Sequence, residues 1–189
     1  GIKFKLLSHL QRQFAELEFT TALDAFSGTG CVSYLLKSLG KTVDSHDLLR
    51  SNQLTARALV ENQHVTLGDE SIDQLLIPAP QRNYDDLIAR NFADIYFTHE
   101  ENRRLDVVAQ NIPRLEDRYQ RALAYYALFQ ACIAKRPDNL FHRRNLYRRT
   151  ADVPRSFGNK ATWDTPFADH FRRQAAAANA AVFDSGTTC

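Results

Sequence analysis

Ile2, Leu6, Leu7, Leu10, Phe14 and Leu17 recur at helical spacing, which predicts an amphipathic helix over residues 3–18. The pattern then shortens. "TALDAF" (21–26) reads as a buried strand, and "CVSYLLKSLG" (31–40) as a helix closed by Gly40. "KTVDSHD" (41–47) is a second strand ending in an acid, and 48–62 a second helix. Strand, glycine turn, helix, strand, helix opens a βαβ unit, and therefore a parallel sheet.

From about residue 70 the pattern turns helical. Helices are predicted at 99–112 and 115–136, with Pro113 between them and Pro137 ending the second. Residues 137–168, with Pro137, Pro154, Gly158 and Pro166, read as loop-rich, and 168–178 as a helix. "AAVFD" (180–184) reads as a strand returning to the sheet. The expected organisation is a first part of an α/β core at 1–69, a helical and basic insertion at 70–178, and a return to the core at 179–189.

Composition narrows the class. The 189 residues are 44% hydrophobic and 24% charged, as in a globular domain. No apolar stretch approaches the roughly 20 residues that span a bilayer. Three cysteines, far apart and without a C-x-x-C, argue against a disulfide framework or a zinc site and suit a cytoplasmic protein with no metal. The chain starts at Gly1 and has no methionine, so it is expected to be a piece of a longer protein.

The net charge of +2 is unevenly placed. Acids dominate from Glu61 to Arg118. The stretch from Lys135 to Lys160 carries Lys135, Arg136, Arg143, Arg144, Arg148, Arg149, Arg155 and Lys160 against Asp138 and Asp152 alone. Phosphate neutralisation by such residues supplies sequence-independent DNA affinity. Arg143, Arg144, Arg148, Arg149, Arg155 and Lys160 are the candidate DNA contacts, with a solvated basic face as the alternative. Aromatics of the stretch, such as Phe157, could stack near a displaced base.

The glycine turn carries the sharper chemistry. In "DAFSGTG" (24–30), Gly28 and Gly30 leave a strand and enter a helix, so backbone can approach a ligand closely. Ser33 stands where a dinucleotide fingerprint places its third glycine, and Asp24 would repel a pyrophosphate. An acid there suits a ligand with a cationic end, such as the amino and sulfonium groups of S-adenosylmethionine. The turn's N–H groups remain to receive that ligand's carboxylate. Asp47, at the end of the second strand, can accept hydrogen bonds from ribose hydroxyls. A tight turn holding no ligand is the bland alternative.

"DAFSGTGCVSYLLKSLGKTVDSHDLLRSNQLTARALVEN" (24–62) resembles the cofactor motif and following strand of DNA adenine-N6 methyltransferases of the DNA adenine methylase type. "GIKFKLL" (1–7) is similar to the tail of that family's N-terminal G-x-K motif. "YFTHEENRRLDVVAQNI" (96–112) and "KRPDNLFHRRNLYRRTADVPRSFGNKATWDTPF" (135–167) resemble the helical and basic regions of one of its branches. The resemblance implies a Rossmann-like S-adenosylmethionine methyltransferase core with an incomplete parallel sheet. It implies a cofactor pocket of Asp24, Phe26, Ser27, Gly28, Thr29 and Gly30, with Asp47 on the ribose, Leu48 near the adenine and Lys3 a further contact. It also implies double-stranded DNA as substrate and a restriction endonuclease as partner.

The family's catalytic tetrapeptide, Asp or Asn, Pro, Pro, aromatic, does not occur. "DTPF" (Asp164–Phe167) has Thr165 for the first proline and precedes the returning strand. The motif is expected beyond Cys189, so no catalytic residue is assigned and the chain alone is expected to be inactive. The competing readings are a non-catalytic nucleic-acid-binding module and a nicotinamide-dependent oxidoreductase. Ser33 and the basic insertion disfavour the latter.

Overall fold

The computed structural model describes residues 2–136, 144–151 and 160–187. They form two units, one of residues 1–66, 117–126 and 177–189, the other of 67–116 and 127–176. Asp117–Tyr126, inside the span read as insertion, thus belongs to the first unit.

The first unit opens with α1 (Ile2–Lys5) and α2 (Leu7–Ala15) in place of one continuous helix. Phe14 of α2 meets Phe19 edge to face, with ring centroids 6.1 Å apart. Strand β1 (Thr21–Asp24) pairs in parallel with β2 (Thr42–Ser45), Ala22 opposite Val43 and Asp24 opposite Ser45. Helix α3 (Cys31–Ser38) is the crossover between them, and Gly40 ends it at φ +69°. Leu36, Val43, Ala56 and Val60 form the core, flanked by Phe14, Phe19, Ala22, Val32 and Tyr34.

The expected 48–62 helix begins as α4 (Arg50–Ala56) and widens into a π-helical turn at Arg57–Glu61, closed by the Asn62 N–H donating to the Arg57 carbonyl at 3.2 Å. Lys37, wholly buried, reaches this end of the helix. Its ammonium donates to the Leu59 carbonyl at 3.2 Å and the Asn62 carbonyl at 2.7 Å. A cation beside C-terminal carbonyls is favoured by the helix dipole.

The predicted strand at 180–184 does not form. Helix α11 (Phe167–Ala180) runs to Ala180, and 182–185 join no ladder. Side chains take this backbone instead. Tyr34 Oη donates to the Ala181 carbonyl at 2.8 Å. The Gln63 amide receives the Ser185 N–H at 3.0 Å and donates to the Thr187 carbonyl at 2.6 Å. Phe183 lies edge-on to Tyr34, with Lys37 Nζ 4.5 Å from its ring centroid.

The second unit is helical, as its pattern predicts. It holds α5 (Asp69–Leu76), α6 (Leu87–Asn91), α7 (His99–Asn111), the later turns of α8 (Arg118–Lys135), α9 (Tyr147–Thr150), α10 (Lys160–Asp164) and most of α11. Thr98 and Glu101 form a reciprocal capping box at the start of α7. Pro113 sits in a 3-10 turn, Ile112–Arg114, that ends the helical run. Ile72, Leu75, Leu105, Val108, Ile112, Phe167 and Phe171 are among its buried residues. Among the described residues, no helix is long and apolar enough to cross a membrane.

Candidate cofactor site

Parallel pairing brings two carboxylates to the same end of the sheet. The pairing continues past the strands, His46 N–H to the Asp24 carbonyl at 3.0 Å and Ser27 N–H to the His46 carbonyl at 3.0 Å. Asp24 closes β1, and Asp47 lies two residues beyond β2. This carboxyl end is where open α/β sheets bind ligands.

Each carboxylate is held. Ser33 Oγ, fully buried in the first turn of α3, donates to Asp24 Oδ2 at 2.8 Å. Asp47 Oδ2 accepts the Gly28 N–H at 2.8 Å, and Oδ1 the Leu49 N–H at 2.9 Å. Bonds from Leu49, Gly28 and Asn52 hold the Asp47 carboxyl below the usual carboxylate range.

The turn between them is left-handed at both glycines, φ +56° at Gly28 and +73° at Gly30. A Cβ would meet only the Phe26 carbonyl at 4.0 Å from Gly28, or Thr55 Cγ2 at 3.8 Å from Gly30. The turn is therefore open, and backbone conformation requires glycine at both positions. The Gly30 N–H closes the turn on the Ser27 carbonyl at 2.9 Å. Two turn N–H groups read as receivers of the ligand's carboxylate, those of Gly28 and Gly30, are thus engaged within the protein.

The remaining side chains suit a ligand at this place. Ser27 is 1% exposed, and its hydroxyl has no hydrogen-bond partner among the described residues. Such an orphaned buried hydroxyl is costly unless something completes it. Phe26 and Leu48 are 82% and 91% exposed, Thr29 is exposed, and all three flank the turn and the end of β2. A cavity of about 290 Å³ beside Asp47 is lined by Ser45, His46, Asp47, Gln53, Arg57 and Glu61, among others. Lys3 lies in α1, and its side chain is outside the described part.

A larger cavity, about 820 Å³, lies in the second unit beside Leu75, Ile77, Pro78 and Asn111. Asn111 is committed to the fold there. Its Nδ2 donates to the Leu75 and Ile77 carbonyls at 3.1 and 3.2 Å, and its Oδ1 receives Tyr84 Oη at 2.7 Å.

The basic stretch divides into outward and inward residues. Arg144, Arg148 and Lys160 are exposed, while Arg143 and Arg155 lie outside the described residues. Arg149 is turned inward, its side chain 7% exposed. Nη1 and Nη2 donate to the two Glu101 oxygens at 2.7 and 2.6 Å. Lys135 Nζ lies 2.9 Å from Glu101 Oε1 and donates to the Trp163 carbonyl at 2.7 Å. Arg149 and Lys135, counted in sequence as part of a nucleic-acid surface, are thus bound into the fold. Burial raises the Glu101 carboxyl, but bonds from Arg149, the Thr98 N–H and Lys135 outweigh it and bring it to about 2. Glu101 was legible as the fourth residue of a T-x-x-E capping box, although its cationic partners were not. "DTPF" is a junction between α10 and α11, with Phe167 buried.

The D12 class of N6 adenine-specific DNA methyltransferases matches residues 1–135, and the chain belongs to that family. It is similar to the Type II methyltransferase M2.HphI of Haemophilus parahaemolyticus, at 29% identity over 191 residues. That match covers 98% of this chain and 56% of the relative's length. No solved structure matches the chain.

Proposed function

We propose that this chain is the cofactor-holding and DNA-contacting part of an S-adenosylmethionine-dependent DNA adenine-N6 methyltransferase, acting in the cytoplasm within a type II restriction-modification system beside a restriction endonuclease. The observation that carries the reading is the pair of oriented carboxylates, Asp24 and Asp47, around an open glycine turn with an unsatisfied buried hydroxyl at Ser27. Family membership supports the same chemistry. In this reading the strands and α3 are one edge of a Rossmann-like core, and 67–116 with 127–176 form most of the target-contacting insertion.

Asp24 faces the cationic amino end of the cofactor, with its carboxylate pinned by Ser33. The Ser27 hydroxyl completes its hydrogen bonding on the same end, and Gly28, Thr29 and Gly30 let backbone lie against it. Asp47 keeps its two backbone donors and offers its remaining lone pairs to ribose hydroxyls. Phe26 stands with the turn on the methionine side, Leu48 lies near the adenine, and Lys3 adds a contact from α1. When bound, the cofactor supplies an electrophilic methyl group, so the protein needs to position rather than to attack. Arg144, Arg148 and Lys160, with Arg143 and Arg155, neutralise phosphates around a flipped adenine. No Asp/Asn-Pro-Pro-aromatic tetrapeptide occurs in the 189 residues, so this stretch binds without transferring methyl by itself.

Calorimetric titration with S-adenosylhomocysteine tests the reading. Binding that is lost in Asp47→Ala while the fold is retained supports it. Salt-dependent DNA binding with no affinity for S-adenosylhomocysteine would replace it with a non-catalytic nucleic-acid-binding module.

A further inference from the structure

The described residues of the basic stretch alternate at helical spacing. Across 144–150, Asn145, Leu146 and Arg149 turn inward, while Arg144, Tyr147, Arg148 and Thr150 turn outward. The carrier of this pattern, α9, has four residues and cannot be stable alone. Its orientation comes from its anchors. The N–H groups of Asn145 and Leu146 share the Ile95 carbonyl, at 2.9 and 3.1 Å. The Arg149 fork grips Glu101, which is already fixed by the Thr98 capping box and by Lys135. Residues 147 and 148 precede Arg149 by two and one positions, about 200° and 100° around the helix. Burying Arg149 therefore turns both of them outward.

Tyr147 is a large aromatic left 64% exposed beside an exposed arginine. An aromatic face next to phosphate-neutralising charge is the combination that holds an unpaired base, because every base has a stacking face.

We infer that Tyr147 is a base-stacking contact and Arg148 its adjoining phosphate contact for a nucleic-acid strand with an unpaired base, and that Arg149 is their positioning residue, acting through its buried pair with Glu101. The inference rests on the DNA reading above and deepens it.

The test uses the intact protein and two labelled duplexes, one fully paired and one with a single unpaired adenine, titrated by fluorescence anisotropy across a salt series. Tyr147→Ala should weaken binding to the unpaired-base duplex about 5- to 100-fold with the salt slope unchanged, and Tyr147→Phe should restore it. Arg148→Ala should lower the salt slope by about one for both duplexes. Arg149→Lys keeps the charge but loses the fork that positions both residues, so it should reproduce the Tyr147→Ala defect and the lowered salt slope of Arg148→Ala together. Thermal melts check that each variant folds. Wild-type affinity for the unpaired-base duplex in Tyr147→Ala, with salt-dependent binding intact, overturns the inference and leaves the DNA reading standing. Absence of salt-dependent binding in the unaltered protein removes the DNA reading, and the inference with it.

Discussion

The Ser33 hydroxyl, buried in the first turn of α3, donates to Asp24 at the end of β1, nine residues earlier in the chain. A side chain at a position that dinucleotide sites give to glycine thus fixes the carboxylate facing the turn. Ser33→Ala should weaken S-adenosylhomocysteine binding about 3- to 10-fold and lower stability by about 1 kcal/mol, the net worth of one hydrogen bond. Calorimetric titration and urea unfolding of the same variant check both.

Glu101 joins two buried cations, and removing its charge leaves both without their carboxylate. Glu101→Gln should cost about 3–5 kcal/mol in urea unfolding. The acid limb of stability reports the same group. Its carboxyl sits at about 2 when folded, against an ordinary 4.5, so the unfolded chain binds the proton first. The contribution is present above pH 4.5 and is lost as pH falls towards 2. Glu101→Gln should flatten that limb.

His170 titrates in a higher window. Arg173 donates to its Nδ1 at 2.8 Å, so the proton lies on Nε2 and is donated to the Thr162 carbonyl at 2.7 Å. Burial pushes the imidazole below its ordinary 6.5, against the pull of the Thr162 bond. The unfolded chain again binds the proton first, so stability falls as pH drops below 6.5. The slope between pH 7 and 5 should shrink in His170→Asn, as measured by thermal unfolding across buffers.

Gly30 caps α3 in the left-handed region without steric crowding. Gly30→Ala should therefore cost about 1–2 kcal/mol through backbone strain alone. Once folded, the variant should bind S-adenosylhomocysteine more weakly than wild type, because a Cβ at Gly30 stands where backbone is read as lying against the cofactor. Wild-type binding by calorimetric titration would mean that conformation alone selects glycine there.

The sheet end was legible because its signals are local. An acid, two glycines, a helical pattern and a second acid fall within 24 residues, and parallel pairing then juxtaposes Asp24 and Asp47. What sequence hid depends on long-range partners. "AAVFD" has strand composition, but Tyr34 takes the Ala181 carbonyl, Gln63 takes the backbone just beyond at Ser185, and the segment joins no ladder. Arg149 and Lys135 read as part of a basic surface because Glu101, their common partner, lies 48 and 34 positions earlier. The break between α1 and α2 has no evident signal, since the apolar spacing runs through it.

The wide turn at Arg57–Glu61 makes helix length a one-sided variable in this protein. One residue is accommodated there beyond an ordinary α-helical turn. Removing that residue would leave an ordinary turn with the exit in place, whereas adding one more residue to the helix would swing the exit by about 100°. Asn62 would then withdraw its carbonyl from Lys37, and Gln63 would miss the backbone of Ser185 and Thr187. The helix should therefore tolerate a loss of length at this spot far better than a gain.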